Sequence, residues 1–243
     1  MRRTVLITGT SRGIGKATIS EFAKNGWNII AHARKRTGTF EEYLSGVMAQ
    51  YGVTVTPLYF DLLDSPAMKD CIRDLKKSKV IVDSLVNNAG IAHGSLFQMT
   101  SLTAIREVFD VNLFAHMELT QLVLKVMAKE NASIVNVASV AGIDFRGGNS
   151  AYGVSKAALI AWTKVLQTEL SGKIRVNAVA PGLTDTDMAQ EMEDRLQAIT
   201  LSRSVIDRLA KPEEVAKAIF FLSSDESSFI TGQVLKVDGG GGI

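Results

Sequence analysis

Tyr152 and Lys156 stand one helical turn apart in the stretch AYGVSKAALIAW, residues 151–162. On a helix, residues at i and i+4 share a face. A phenol releases its proton near pH 10, so it works at neutral pH only when neighbouring positive charge lowers that value. Lys156 is placed to supply such a charge. The pair therefore reads as a proton donor with electrostatic support. The competing reading, two residues on a solvated helix edge, stands until other groups join them.

A second constellation lies near the amino end. The apolar run Val5-Leu6-Ile7 leads straight into Thr8-Gly9-Thr10-Ser11-Arg12-Gly13-Ile14-Gly15, and a helical pattern follows. Gly9 suits a tight turn out of a strand, Gly13 lets the backbone approach a diphosphate, and Gly15 lets the helix pack closely on the sheet. The helix N-terminus offers unpaired amides to the phosphates. The spacing is GxxxGxG rather than GxGxxG, so position carries the reading: after the first strand and before a helix, it marks a dinucleotide site. Small Gly153 and Ser155 between Tyr152 and Lys156 cost helix propensity, as expected where a helix approaches a cofactor closely.

The second apolar run ends in Arg34-Lys35-Arg36. An acidic residue there would take the ribose 2′-hydroxyl; three cations stand instead, with Arg12 in the glycine loop. Arginine grips a phosphate with two donors and lysine adds a point charge. The expected cofactor is NADP(H) in preference to NAD(H).

These residues need a scaffold. Short apolar runs at 5–7, 27–31, 53–59, 84–86, 133–137, 174–179 and 234–237 read as strands buried on both faces. Segments with helical spacing lie between them at 14–25, 40–50, 66–77, 102–128, 151–170 and 212–222. The alternation predicts an α/β fold: a single-domain Rossmann fold over 1–243, with a doubly wound parallel sheet of about seven strands and helices on both faces. The stretch 183–210 interrupts the alternation and reads as a substrate lid. Met188 and Met192 in it could line a pocket or fill a core.

Composition excludes several classes. A net charge of +2 is too small to argue for nucleic acid or a membrane surface, and the apolar run after Arg2-Arg3 is too short for a signal peptide. One cysteine, Cys71, rules out an intrachain disulfide framework and suits a reducing compartment, so a cytoplasmic protein is expected. His32, His93 and His116 show no metal-ligand spacing with Cys71, and no metal is expected.

Taken in order, Thr8–Gly15, Asn87-Asn88-Ala89-Gly90, Asn112, Ser139, Tyr152-Gly153-Val154-Ser155-Lys156 and Pro181-Gly182 resemble the short-chain dehydrogenases/reductases, along the whole chain. The resemblance implies Asn112, Ser139, Tyr152 and Lys156 as the catalytic set. Tyr152 would be the acid/base, and Lys156 would lower its pKa and hold the nicotinamide ribose. Ser139 would donate to the substrate oxygen, and Asn112 would hold a water linking Lys156 to solvent. It assigns Asp61 and Leu62 to the adenine, and Asn88, Ala89 and Gly90 to the adenosine and ribose side. Pro181, Gly182, Thr184 and Thr186 would meet the nicotinamide end.

The stretches TGTSRGIG, LVNNAGI and VNAVAPGLTDTDM look most like 3-oxoacyl-(acyl carrier protein) reductases, which implies NADPH-dependent reduction of a 3-oxoacyl thioester. One departure bears on the partner. Carrier-protein enzymes present arginines near the end of the long central helix, whereas this chain has Lys129-Glu130 there and Lys173 before the sixth strand. A small ketone, polyol or sugar-derived substrate is the alternative, and a non-catalytic NADP-binding sensor a further one. The resemblance also implies a homotetramer or homodimer.

Overall fold

The computed structural model describes residues 2–170, 172–190 and 204–241. Seven parallel strands form one sheet in the order β3-β2-β1-β4-β5-β6-β7. They are β1 (Thr4–Ile7), β2 (Asn28–Ala33), β3 (Val55–Tyr59), β4 (Ser84–Asn87), β5 (Ala132–Val137), β6 (Ile174–Pro181) and β7 (Val234–Val237). The helices are α1 (Gly13–Lys24), α2 (Gly38–Tyr51), α3 (Ser65–Lys77), α4 (Leu102–Phe109), α5 (Ala115–Val123), α6 (Ser150–Glu169), the short α7 (Asp187–Gln190) and α8 (Pro212–Ser223).

Successive strand residues face opposite sides, so apolar runs build a core on each face. Val5, Ile7, Ile29 and Ala31 pack with Ile19 and Phe22 of α1, Leu44 of α2 and Ile219 of α8. Leu6, Ile30, Leu85 and Ile134 pack on the other face with Ile72 of α3, Leu119 of α5 and Leu166 of α6. Local chemistry sets the helix ends. Thr37 caps α2 by accepting from the Phe40 N–H, and Gly52 closes it in the left-handed region; Asp64 caps α3 by accepting from Ala67.

Strand order reverses between β1 and β4, opening a crevice at the carboxyl ends of the strands. A buried polar ladder fixes the helices beside it. The Asn87 amide donates to Thr120 Oγ1 of α5 (3.1 Å) and to Asn136 Oδ1 (2.8 Å), and Asn136 donates to Thr163 Oγ1 of α6 (2.9 Å). Hydrogen bonds of this kind hold direction as well as distance, so α5 and α6 have defined rotations on the sheet.

The helix expected over 102–128 is interrupted. A π-helical turn, Asp110–Phe114, separates α4 from α5, and the Ala115 N–H reaches back to the Asp110 carbonyl. One extra residue is accommodated there without leaving helical dihedrals, so apolar periodicity alone does not reveal it. Of the expected lid, residues 191–203, and Met192 with them, lie outside the described residues. Its first part pairs with its last: Asp185 N–H donates to the Ala210 carbonyl, and Ala210 N–H to the Leu183 carbonyl.

Candidate active site

Ser139 follows β5 and opens a short turn in which its hydroxyl accepts from the Ala141 N–H (3.1 Å). Tyr152 lies on the first turn of α6, hydrogen-bonded to Ser139. Lys156 is 4% exposed; its Nζ donates to the Val137 carbonyl (2.8 Å) and lies 5.9 Å from the centre of the Tyr152 ring. The end of β5 therefore serves both residues, Ser139 by following it and Val137 by anchoring the lysine.

Burial dominates the electrostatics. It pushes the Tyr152 phenol above its usual value, with the Ser139 hydrogen bond acting the other way. It pulls the Lys156 ammonium down to about 8. In the protein alone desolvation holds the phenol high, and the Ser139 hydrogen bond is what opposes it. Tyr152 stays protonated at neutral pH and Lys156 stays largely charged.

Asn112 sits in the π-helical turn, fully buried. Its Oδ1 accepts from Ile91 N–H (2.9 Å), and its amide donates to the Ile91 carbonyl (2.9 Å) and to Ser155 Oγ (3.0 Å). Both amide hydrogens are therefore occupied, and any water held here must use another atom. A Cβ on Gly90 would lie 3.1 Å from Asn112 Oδ1 and 3.3 Å from Lys156 Nζ, which brings the Asn87–Gly90 segment to the same spot. Ser155, read from sequence only as a small residue, thus accepts from Asn112, while Ile91 was not singled out, since a backbone grip carries no residue signature. Gly153 has another explanation than approach to a cofactor. A Cβ there would stand 2.7 Å from the Ala141 carbonyl oxygen, so the glycine admits the turn after Ser139.

The glycine loop lies across the crevice. Gly9 has φ +67°, and a Cβ on it would meet Ala89 Cα at 2.8 Å. Gly15 sits against the Gly9 carbonyl. Asn88 Nδ2 donates to the carbonyls of Thr8 (2.8 Å) and Gly9 (3.1 Å), while Thr8 Oγ1 accepts from the Asn88 and Ala89 N–H groups. The Asn88 side chain expected to line the adenosine side is thus committed to holding the loop. Helix α1 begins with no side-chain cap and no acidic residue in its first turn, which leaves its amides to an anion. Ser11 and Arg12 are exposed, and Gly13 and Ile14 partly so.

Beyond β2, Arg36 pairs with Glu41 (3.1 Å), which also accepts from the Tyr59 hydroxyl (2.5 Å). Arg34 and Lys35 are exposed and make no ion pair among the described residues. Three expected cations therefore reduce to two available ones. Asp61 accepts from Leu63 N–H just past β3, and Leu62 is buried. Pro181 ends β6, and Gly182 N–H donates to the Val237 carbonyl. Thr184 and Thr186 carry the chain back toward the glycine loop, where Thr186 Cγ2 stands 3.1 Å from the Cβ position of Gly13. Arg12 there pairs with Asp187 (2.9 Å), a contact between distant residues that spacing could not show.

A parallel sheet with a glycine turn at its switch point, an uncapped helix beyond it and a buried lysine beside a phenol and a hydroxyl define the class. The chain belongs to the short-chain dehydrogenase/reductase family and is an NAD(P)-dependent oxidoreductase. A family model described as enoyl-(acyl carrier protein) reductase matches residues 9–241. The chain is 39% identical over 242 residues to the 3-oxoacyl-[acyl-carrier-protein] reductase FabG of Thermotoga maritima, covering 98% of this chain and 97% of that one. It is 32% identical to the Escherichia coli FabG, with 98% and 96% covered. A crystal structure of a dehydrogenase/reductase from Sinorhizobium meliloti superposes with a TM-score of 0.91 at 30% identity, covering 98% and 94%.

Proposed function

We propose that this chain is an NADPH-dependent reductase that converts the ketone of a 3-oxoacyl thioester to a hydroxyl. The carrying observation is the meeting of Tyr152, Ser139 and buried Lys156 at the carboxyl end of β5, beside the Asn87–Gly90 segment that packs on the glycine loop. NADPH, when bound, would supply the hydride that the carbonyl carbon receives. Ser139 donates a hydrogen bond to the carbonyl oxygen as it gains charge. Tyr152, kept protonated by burial, passes its proton to that oxygen. Lys156 stabilises the phenolate left behind, which is when its charge counts most.

The first-turn amides of α1 would hold the diphosphate, and Arg34 and Lys35 the 2′-phosphate that selects NADPH. Gly90 would line the adenosine and ribose side, and Pro181, Gly182, Thr184 and Thr186 would meet the nicotinamide end. The reading includes a cytoplasmic enzyme working as a homotetramer or homodimer. No helix among the described residues is long and apolar enough to cross a membrane.

A second reading, reduction of a small ketone, polyol or sugar-derived carbonyl, is favoured by one observation. Lys125 and Lys129 past α5 gather with Lys76 and Lys79 around a groove at the amino ends of β4 and β5, across the sheet from the crevice. These four lysines, which could greet an acidic carrier, therefore lie away from the candidate site. NADPH oxidation with acyl thioesters, diketones and simple ketones separates the readings. Tyr152→Phe should bind NADPH within about twofold of wild type and lose at least a hundredfold in turnover, in line with the typical worth of a general acid. Retention of a tenth of the activity would remove Tyr152 from the role.

A further inference from the structure

We propose that His32 is a positioning residue for the nucleotide, setting the glycine loop from beneath by the Gly9 N–H. The inference rests on the cofactor reading above and concerns a residue that reading does not use.

His32 is the fifth residue of β2 and is 2% exposed. Its Nδ1 faces the Gly9 N–H at 3.3 Å, and its Nε2 faces the Phe60 carbonyl at 2.9 Å. An N–H only donates and a carbonyl only accepts. The ring is therefore neutral, with its proton on Nε2 and a bare lone pair on Nδ1. Burial also holds its pKa below the ordinary value. The backbone adds two more links, since the His32 carbonyl accepts from the Thr10 N–H and from Thr10 Oγ1, both at 2.9 Å.

One residue thus ties together the three segments that would hold the adenosine half. These are the glycine loop, the end of β2 that leads into Arg34 and Lys35, and the end of β3 that leads into Asp61. Asn88 holds the carbonyl side of the turn, and His32 is the acceptor for the Gly9 N–H. A glycine at φ +67° has more accessible conformations than any other residue, so losing that acceptor leaves the amide side of the turn free to depart from this geometry. A loop that must present amides to a diphosphate loses affinity by the fraction of time it is elsewhere.

The test compares His32→Asn, His32→Ala and wild type by titration with NADP⁺ and by steady-state kinetics. Asparagine carries Oδ1 where histidine carries Nδ1, so it keeps an acceptor for Gly9 and loses the Phe60 contact. The Ala variant should bind NADP⁺ roughly tenfold more weakly, the usual consequence of an unpaired N–H in a partly buried place. The Asn variant should stay within about threefold of wild type. Turnover at saturating NADPH and the KM for the carbonyl substrate should move less than twofold in either. If His32→Ala does not fold, His32→Gln, which reaches Phe60 but lacks the Nδ1 acceptor, replaces it in the comparison. Equal affinity of the Ala and wild-type proteins, or equal weakness of Asn and Ala, overturns the assignment to Gly9. A fall in turnover that matches the fall in affinity overturns it as well, by showing general disruption. Wild type that binds no NADP⁺ overturns the cofactor reading itself, a result distinct from the others.

Discussion

Replacing Lys156 with methionine should make the cofactor-free protein more stable at neutral pH while abolishing its activity. The magnitude follows from burial. The ammonium is 4% exposed, and its pKa falls from 10.5 to about 8. At pH 7 both folded and unfolded chains carry the charge, so the folded state bears the full cost of about 3 kcal/mol, each pKa unit being about 1.4 kcal/mol. The cost fades as pH rises from about 8, where the folded state gives up its proton first, to about 10.5, where the unfolded chain follows. Wild-type stability should therefore gain about 2 kcal/mol between pH 7 and 9.5 from this residue alone. Methionine has similar reach and no charge, and it leaves the Val137 carbonyl without its partner, which returns about 1 kcal/mol. Lys156→Met should gain about 1–2 kcal/mol at pH 7 and lack the alkaline rise. Urea unfolding of both proteins at the two pH values measures this, and their difference removes the contribution of every other titrating group. A variant less stable than wild type at pH 7, or one with the same alkaline rise, would refute the reasoning.

The neighbouring parts of the crevice yield two shorter predictions. Replacing Arg34 by Asp and Lys35 by Ala should move the NADPH-to-NADH preference toward NADH by at least tenfold, since two cations that meet no carboxylate are exchanged for one negative charge; an unchanged ratio of kcat/KM values places the 2′-phosphate elsewhere. Gly9→Ala should lower the melting temperature and weaken NADP⁺ binding together, because its Cβ would stand 2.8 Å from Ala89 at a positive φ; wild-type behaviour in calorimetry and titration would show that the turn is not held there.

Legibility from sequence followed the physics of each element. The strand at 5–7 reads Val-Leu-Ile and is buried on both faces, so its apolar run announces it. The glycine loop is legible because only glycine tolerates the approaches found at Gly9 and Gly15. The π-helical turn at Asn112 stayed hidden, since its residues keep helical dihedrals and its apolar pattern slips by only one position. Arg36 looked equivalent to Arg34 and Lys35 until folding brought Glu41 against it. His32 lies just past the run at 27–31 read as a strand, and its role depends on backbone atoms of Gly9 and Phe60 that carry no residue signature. What sequence leaves dark here are contacts with backbone and partners far along the chain.

The clamp of Asn88 and Thr8 on the glycine loop has a calorimetric consequence. Four hydrogen bonds already fix that loop in the protein by itself. A nucleotide arriving there orders itself rather than its receptor, so the entropy lost on association belongs mostly to the ligand's own rotatable bonds. The heat capacity change should then track the surface covered, with no added increment from folding the loop around its guest.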